Sequence, residues 1–553
     1  MPPIDDHPLK LVPLGGLGEF GLNSLVLEWD GHAILIDAGV MFPGAEQPGV
    51  DTIVPDFQYL ADRRDQVSAI FLTHGHEDHI GALAFALQAA PVPVYGSRLT
   101  LGFARNRLRE RGVEADFRLL RPGQTVSAGP FTIHAIRVAH SVLDSLALAV
   151  ETPAGVVVAS GDFKIDQGAP PDERTDLESL SSWGDRGVLA LLSDSTNVER
   201  RGRAGGEADV VPAFDEVFAR TRGRVLVSCF ATAIPRIQRV ADAARATGRS
   251  VAFLGRRMVD NVQVATELGL LRIPAGDVLP TSELSGYPAG RMAVFVAGSQ
   301  GEPFSALSMV SVDEHNELHV GPGDTVVISA RPIPGNERAV SRVMGNLFRR
   351  GCDVVHPGTA GVHVSGHGNE DELVELLHRV RPRYLVPVHG EYRMLAQHAR
   401  LAARAGMPAD RVLLAEDGDV WSLGPGGARK EERVEAGRVL LDRSGEAGLE
   451  DLVVRDRRHL SAEGIVVPVV VFDKQTGRVQ SAPEIVTSGF AGESGAHLLE
   501  EAGRLLLETV ESRPPEERFD PALTRERVRA ELRRFFRKRA QRRPMVIPVV
   551  MEV

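Results

Sequence analysis

The sequence predicts an α/β protein of several domains, and three observations carry that expectation. Short apolar β runs open the chain, a regular β-α-β rhythm interrupts them, and the opening style of strand then returns. At 553 residues the chain is also too long for one hydrophobic core, so roughly two to four domains are expected.

In residues 1–204, SLVLEW and HAILIDAG flank Asp30-Gly31, a pair that favours a type I′ turn, so a hairpin is expected. Apolar strands follow at 67–74 (VSAIFLTH), 91–96 (PVPVYG), 132–140 (TIHAIRVAH), 146–162 (LALAVET and GVVVASGD) and 188–195 (VLALLSDS), with a helix over 78–90. Across residues 205–355, GRVLVSCF, SVAFLG, MAVFVAGS and DTVVISA alternate with helices at 234–247, 257–268 and 336–350, the rhythm of a separate parallel sheet. Residues 356–424 return to the first style with YLVPVHGE (384–391) and RVLLAEDGDVWSL (411–423), so the β-α-β domain is expected to be an insertion. Residues 425–455, rich in Gly, Glu and Arg, read as a linker, and 456–553 as a small α/β unit.

Composition narrows the function. A net charge of −11 argues against an extended basic surface for duplex nucleic acid, although bound cations could supply positive charge at a scissile phosphate. The basic helix with Arg525, Arg527, Arg529, Arg533, Arg534, Arg537 and Lys538 is interrupted by Glu526 and Glu531, so it reads as amphipathic with a solvated charged face. No export signal and no membrane-spanning run is visible, and Cys229 and Cys352 sit among apolar residues as expected of buried free thiols. A cytoplasmic location is therefore expected.

Gly16-Leu17-Gly18-Glu19-Phe20-Gly21 matches GxGxxG, with Asp37 downstream as a dinucleotide site would need. That chemistry requires the glycines to open a helix facing a pyrophosphate. Here they open NSLVLEW, a strand by composition, so they read as a tight loop near the active site.

The strongest signal is His74-Gly75-His76-Glu77-Asp78-His79, where a strand ends and a helix begins. Imidazole and carboxylate suit Zn²⁺ or Mn²⁺. Residues two apart at such a turn can point to one side while those at the helix start reach a second position, so one segment can feed two adjacent ions. Further ligands end later strands: His140 closes TIHAIRVAH, Asp162 closes VVVASGD and His389 closes YLVPVHG.

HxHxDH is the hallmark of the metallo-β-lactamase superfamily, and this sequence resembles it. The resemblance implies an αββα sandwich in which His74, His76 and His140 bind one divalent metal and Asp78, His79 and His389 a second, with Asp162 bridging. Zn or Mn is implied, with Mg also admissible. Asp37, ending HAILIDAG, would orient the HxHxDH loop from behind.

Asp194 in LLSDSTN, His367 in HVSGHGN and His389 in PVHGE resemble the three motifs of the β-CASP nucleases, whose third-motif His is typical of enzymes acting on RNA. GGLGEFGLNS, FLTHGHEDHIGA, SGDFKID, SDSTN, AGSQGEP, PIPGNE, HVSGHG and PVHGE are similar in order and spacing to the ribonuclease J family, from about residue 9 to the end. This implies a β-CASP insertion and a metal-activated water attacking single-stranded RNA, with Asp194 and His367 as the catalytic pair. It further implies a substrate-phosphate pocket at His363, Val364, Ser365, Gly366 and His367, with Ser228 and Asn336 as weaker candidates. A pocket that holds a 5′-monophosphate would give 5′→3′ exonuclease action beside internal cutting, in RNA maturation and decay. A homodimer or homotetramer, partners in RNA degradation and no membrane association complete the expectation. The alternatives are a mainly endonucleolytic relative acting on RNA or DNA, a small-molecule hydrolase, for which so large an insertion is unnecessary, and a non-catalytic RNA-binding scaffold.

Overall fold

Asp30 and Gly31 both take positive φ, 47° and 74°, and join the antiparallel strands Ser24–Trp29 and His32–Ile36 as the type I′ signal predicts. The computed structural model describes residues 7–44, 46–442, 444–445, 448–473, 475–476, 478–490, 496–512 and 521–553. It divides into two compact units, one running to Met41 and over Ile53–Val439, the other Phe42–Thr52 with Leu440–Val553.

In the first unit, eight strands form one sheet in the order Gly427–Lys430, Trp421–Gly424, Leu9–Gly15, Ser24–Trp29, His32–Ile36, Val67–Phe71, Val94–Gly96, Phe117–Leu119. Six form a second, in the order Tyr384–Val388, Ala190–Asp194, Gly155–Ala159, Leu146–Thr152, Phe131–Arg137, Thr125–Ala128. Leu27, Ile34 and Phe71 of the first pack against Phe131, Leu148, Val157 and Leu192 of the second. The alternate residues of the second sheet, Ala147, Ala149, Val158 and Leu191, pack with Leu180, Leu376 and Leu401 of three covering helices. Strands buried on both faces need apolar side chains at nearly every position, which is why these runs show little alternation in sequence.

The inserted sheet is wholly parallel, in the order Ser250–Leu254, Met292–Val296, Val225–Ser228, Thr325–Ile328, Asp353–Val355. The chain leaves the sandwich after Asp194 and returns in Tyr384–Val388, which pairs parallel with Ala190–Asp194 and sets Val388 opposite Asp194. This is a two-sheet sandwich interrupted by an inserted parallel-sheet domain, with an α/β unit following it in the chain.

Two expected elements need correction. The helix expected over 78–90 is two helices, Glu77–Ile80 and Leu83–Ala89. The carbonyl of Asp78 accepts from the backbone and side chain of Asn23, while the Ala82 N–H turns to Ala38, so tertiary bonds take the partners a continuous helix would need. The expected linker at 425–455 contains a strand, Gly427–Lys430, paired with Trp421–Gly424, and the start of the helix Asp451–Glu463.

In the second unit, Ile465–Phe472 buries every other residue and pairs with Glu484–Ser488, Met545–Val546 and Val549–Glu552. The arginine-rich helix Pro521–Ala540 buries Thr524, Val528, Leu532 and Phe536, four apart, while Arg529 and Arg534 pair with Glu526 and Glu531. It is amphipathic, as its sequence indicates.

Candidate metal centre

The GxGxxG segment opens no helix. Gly16, Gly18 and Gly21 all take φ near +90°, and Leu17–Gly18 pairs with Gly390–Glu391 beside His389. The glycines form the tight loop expected of them.

His74, His140, Asp162 and His389 sit just beyond strand ends, whereas Asp78 and His79 lie in the short helix Glu77–Ile80. Asp37 ends His32–Ile36 and accepts from the Thr73 backbone N–H at 2.8 Å, the Thr73 hydroxyl at 2.8 Å and His79 Nδ1 at 2.8 Å. Because the Thr73 hydroxyl donates to Asp37, its oxygen can accept from His74 Nδ1, 3.1 Å away. His140 Nδ1 faces the Gly366 carbonyl at 2.7 Å, which can only accept. These partners place the proton on Nδ1 of His74, His79 and His140 and leave each Nε2 lone pair facing inward.

On the other side, the Thr196 hydroxyl donates to Asp194 at 2.7 Å and accepts from His389 Nδ1 at 2.6 Å. His389 Nε2 then faces Asp78 at 3.2 Å. The same carboxylate–threonine–imidazole relay thus serves His74 and His389. Thr73, Thr196 and Asn23, absent from the predicted site, are the relay and loop residues that sequence reasoning missed. Their one signal was adjacency to the motifs, in THGHEDH, SDSTN and GLNS.

Within 4.8 Å of one another lie ligand atoms of His74, His76, His140 and Asp162, then of Asp78, His79 and His389, and then of Asp162, Asp194, His367 and His389. His76 Nδ1 is 3.0 Å from His74 Nε2 and 3.2 Å from His140 Nε2. One proton cannot satisfy three converging lone pairs, whereas ligands about 2.0–2.2 Å from a tetrahedral cation stand roughly 3.4 Å apart. Among the described residues Asp162 Oδ2 is buried without a hydrogen bond, 3.4 Å from His74 and His79, 3.7 Å from His140 and His389 and 3.9 Å from His367. A fully buried carboxylate oxygen surrounded by imidazoles fits metal binding.

The electrostatics agree. Burial pushes the pKa of His74 and His140 well below the ordinary imidazole value and that of His76 down to about 4, so these rings are neutral. Burial opposes charging His79 and His389 too, but Asp162 and the other nearby carboxylates outweigh it, raising His79 well above its usual value and His389 to about 9. A cation at the centre would replace those protons.

His367 Nδ1 lies 2.8 Å from Asp194 Oδ2. Burial works against its charge, but Asp194 and then Asp162 raise its pKa above the usual range. Both Asp194 oxygens are engaged, one by His367 and one by Thr196, which suits this pair to proton handling more than to ligation. Asn197 donates to Ser365 Oγ at 2.7 Å and to the His367 carbonyl at 3.0 Å, tying SDSTN to the segment 363–367.

The two weaker candidates fare differently. Ser228 is fully buried and its hydroxyl donates to the Val296 carbonyl at 3.0 Å inside the sheet. Asn336 precedes the helix Glu337–Arg349 and makes no side-chain cap. Among the described residues, no hydrogen bond joins either to 363–367.

Four family models match successive parts of the chain. Residues 17–197 match the metallo-beta-lactamase superfamily, 222–347 the ribonuclease J beta-CASP domain, 356–412 the Zn-dependent metallo-hydrolase RNA specificity domain and 452–553 the ribonuclease J C-terminal domain. A ribonuclease J of Mycobacterium tuberculosis is 40% identical over 553 residues, covering 100% of this chain and 98% of that protein. The chain belongs to the ribonuclease J family. Ribonuclease J2 of Bacillus subtilis is 36% identical over 99% of both chains, and a ribonuclease J of Helicobacter pylori 34% identical over 98% of this chain and 78% of its own. A solved protein of unknown function from Enterococcus faecalis superposes over 75% of this chain and 99% of its own, with a TM-score of 0.51 at 16% identity, a likeness of fold alone. Among the described residues no helix is long and apolar enough to cross a membrane.

Proposed function

We propose that this chain is a metal-dependent ribonuclease that degrades single-stranded RNA 5′→3′ from a 5′-monophosphate and also cuts internally. The observation that carries the reading is the unbonded, buried Asp162 Oδ2 among five imidazoles, beside the Asp194–His367 pair. His74, His76 and His140 would hold one ion, Asp78, His79 and His389 a second, and Asp162 both, with Zn or Mn (or Mg) as the metal. Two such ions would supply Lewis acidity at the scissile phosphate and lower the pKa of the attacking water.

The chain's own residues do the rest. Asp37, Thr73 and Thr196 hold the imidazole tautomers, so the site needs no reorganisation as charge develops on the phosphate. His367, kept protonated by Asp194, donates to the departing 3′ oxygen, leaving a 5′-phosphate on the product. The hydroxyl of Ser365 and the backbone of His363, Val364, Gly366 and His367 would receive the RNA 5′-phosphate. Residues 1–204 with 356–424 would form the sandwich domain, to which the strand Gly427–Lys430 adds an edge, 205–355 the insertion and 456–553 the C-terminal domain. A homodimer or homotetramer in the cytoplasm, working with other RNA-degrading proteins, completes the proposal.

The test is a time course on matched RNAs bearing 5′-monophosphate, 5′-triphosphate or 5′-hydroxyl ends, with Mn²⁺ or Mg²⁺, a DNA oligonucleotide and Asp78→Ala as controls. Mononucleotides released from the monophosphate RNA, and lost with Asp78→Ala, are the expected result. Internal cuts indifferent to the 5′ end would replace the exonuclease reading with an endonuclease. Absence of RNA cleavage with either metal would overturn it.

A further inference from the structure

Arg236 belongs to none of the motifs above. It lies on the helix Ile234–Ala246 of the inserted domain and is 3% exposed. Its Nε and Nη2 form a fork on Glu207 at 2.7 and 2.9 Å. Nη1 donates to Ser329 Oγ at 2.6 Å and to the Val362 carbonyl at 3.2 Å, and Nη2 lies 3.5 Å from the Val364 carbonyl. Ser329, just beyond the strand Thr325–Ile328, also donates to Val362 at 2.7 Å, and its carbonyl faces His363 Nδ1 at 3.2 Å.

Glu207 is itself held from the sandwich side. Asp166 accepts from the Glu207 N–H at 3.1 Å, and Lys164 Nζ donates to the Gly205 carbonyl at 3.3 Å. Lys164 is two residues beyond Asp162. A continuous set of contacts therefore runs from the segment after Asp162 through Glu207 and Arg236 to the carbonyls at 362 and 364. The next residue, Ser365, accepts from Asn197, and His367 Nδ1 donates to Asp194.

A buried ion pair adds little net stability, because desolvation offsets the attraction. What this one supplies is geometry. A planar guanidinium with five fixed donors can grip a carboxylate and two carbonyls at once, whereas an ammonium cannot reproduce that fork. With the Val362 and Val364 carbonyls held by Arg236, the His367 N–H turns back to Ser365 Oγ at 3.2 Å, and among the described residues no hydrogen bond engages the N–H groups of 363–366.

We propose that Arg236 is a positioning residue that fixes the backbone of Val362–Val364 and thereby sets how strongly the enzyme prefers a 5′-monophosphate. The inference rests on the reading of 363–367 as the 5′-phosphate pocket. It assigns the preference to a contact between the inserted domain and the segment, not to a residue touching RNA.

The experiment compares full-length, metal-loaded wild type with Arg236→Lys and the milder Ser329→Ala, measuring kcat and KM on matched 5′-monophosphate and 5′-hydroxyl RNAs, with bound metal and Tm as parallel readouts. The expected result for Arg236→Lys is a KM for monophosphate RNA raised about tenfold, kcat within about twofold, and little change on hydroxyl RNA, the scale of one lost charge-assisted contact. Ser329→Ala should shift the same ratio by a smaller factor. Equal losses on both RNAs, or an unchanged monophosphate preference in both variants, would overturn the assignment. A wild type with no monophosphate preference would instead remove the pocket reading beneath it. If Arg236→Lys does not fold, Ser329→Ala alone decides: a preference equal to that of wild type overturns the proposal.

Discussion

Nδ1 of His79 lies 2.8 Å from Oδ2 of Asp37, and both side chains are buried. The carboxylate fixes which ring nitrogen carries the proton and so turns Nε2 toward Asp162, 3.4 Å away. Asp37→Asn replaces an acceptor oxygen by a donor or leaves a weaker neutral acceptor. Metal affinity should fall by about 10–100-fold, the usual effect of losing a partner behind a ligand. Metal content per chain after dialysis measures this, and activity should return when excess Mn²⁺ is added.

His367→Ala should separate chemistry from metal binding. The imidazole is held by Asp194 and lies 3.9 Å from Asp162 without joining the His74–His76–His140 or Asp78–His79–His389 groups. Metal content should match wild type while kcat drops by about 10²–10⁴-fold, the range for a lost general acid. Full activity in this variant would remove His367 from the catalytic pair.

Gly39→Ala tests the loop that splits the helix after HxHxDH. A Cβ at residue 39 would stand 1.6 Å from the Asp78 carbonyl oxygen, with no flexible side chain to yield. Val40 and Ala38 hydrogen-bond to Glu77 and His79, so the loop cannot retreat without moving the ligands. A destabilisation of about 3 kcal/mol or more is expected, read as a lower denaturation midpoint together with lost metal.

Asp417 carries a pH dependence outside the cluster. Burial, and then the neighbouring Glu19, push its pKa from 3.8 up to about 8, although its Oδ1 accepts from the Leu17 N–H at 2.9 Å. Glu19, raised by burial, is partly compensated by Arg438. Between those pH values the folded state keeps a proton that the unfolded state has released. This site therefore makes stability decline as pH rises from about 4 toward about 8, where the folded-state carboxyl also ionises. Asp417→Asn keeps the acceptor for Leu17 and removes the titration. Its Tm should exceed that of wild type by about 1–3 °C near pH 8 and equal it near pH 4. Parallel Tm curves over that range would contradict the assignment.

Much of this protein was legible in its residues because the signals are local. The Asp30-Gly31 turn, the strand ends at His140, Asp162 and His389, and the HxHxDH turn each depend on the chemistry of a few neighbouring positions. The sequence by itself therefore determined the inserted parallel domain and the candidate ligands, while the two-sheet core was implied by the family its motifs resemble. Only the tertiary structure decided what depends on register between distant strands. Pairing Asp194 with Val388 brings Thr196 under His389, and Asn23 reaching Asp78 breaks the helix expected over 78–90. The same long-range packing buried Ser228 in its sheet and set Arg236 against the carbonyls of 362 and 364. A hydroxyl or guanidinium carries no mark in the sequence of which distant partner it will meet, since that choice is made when separate cores close on one another.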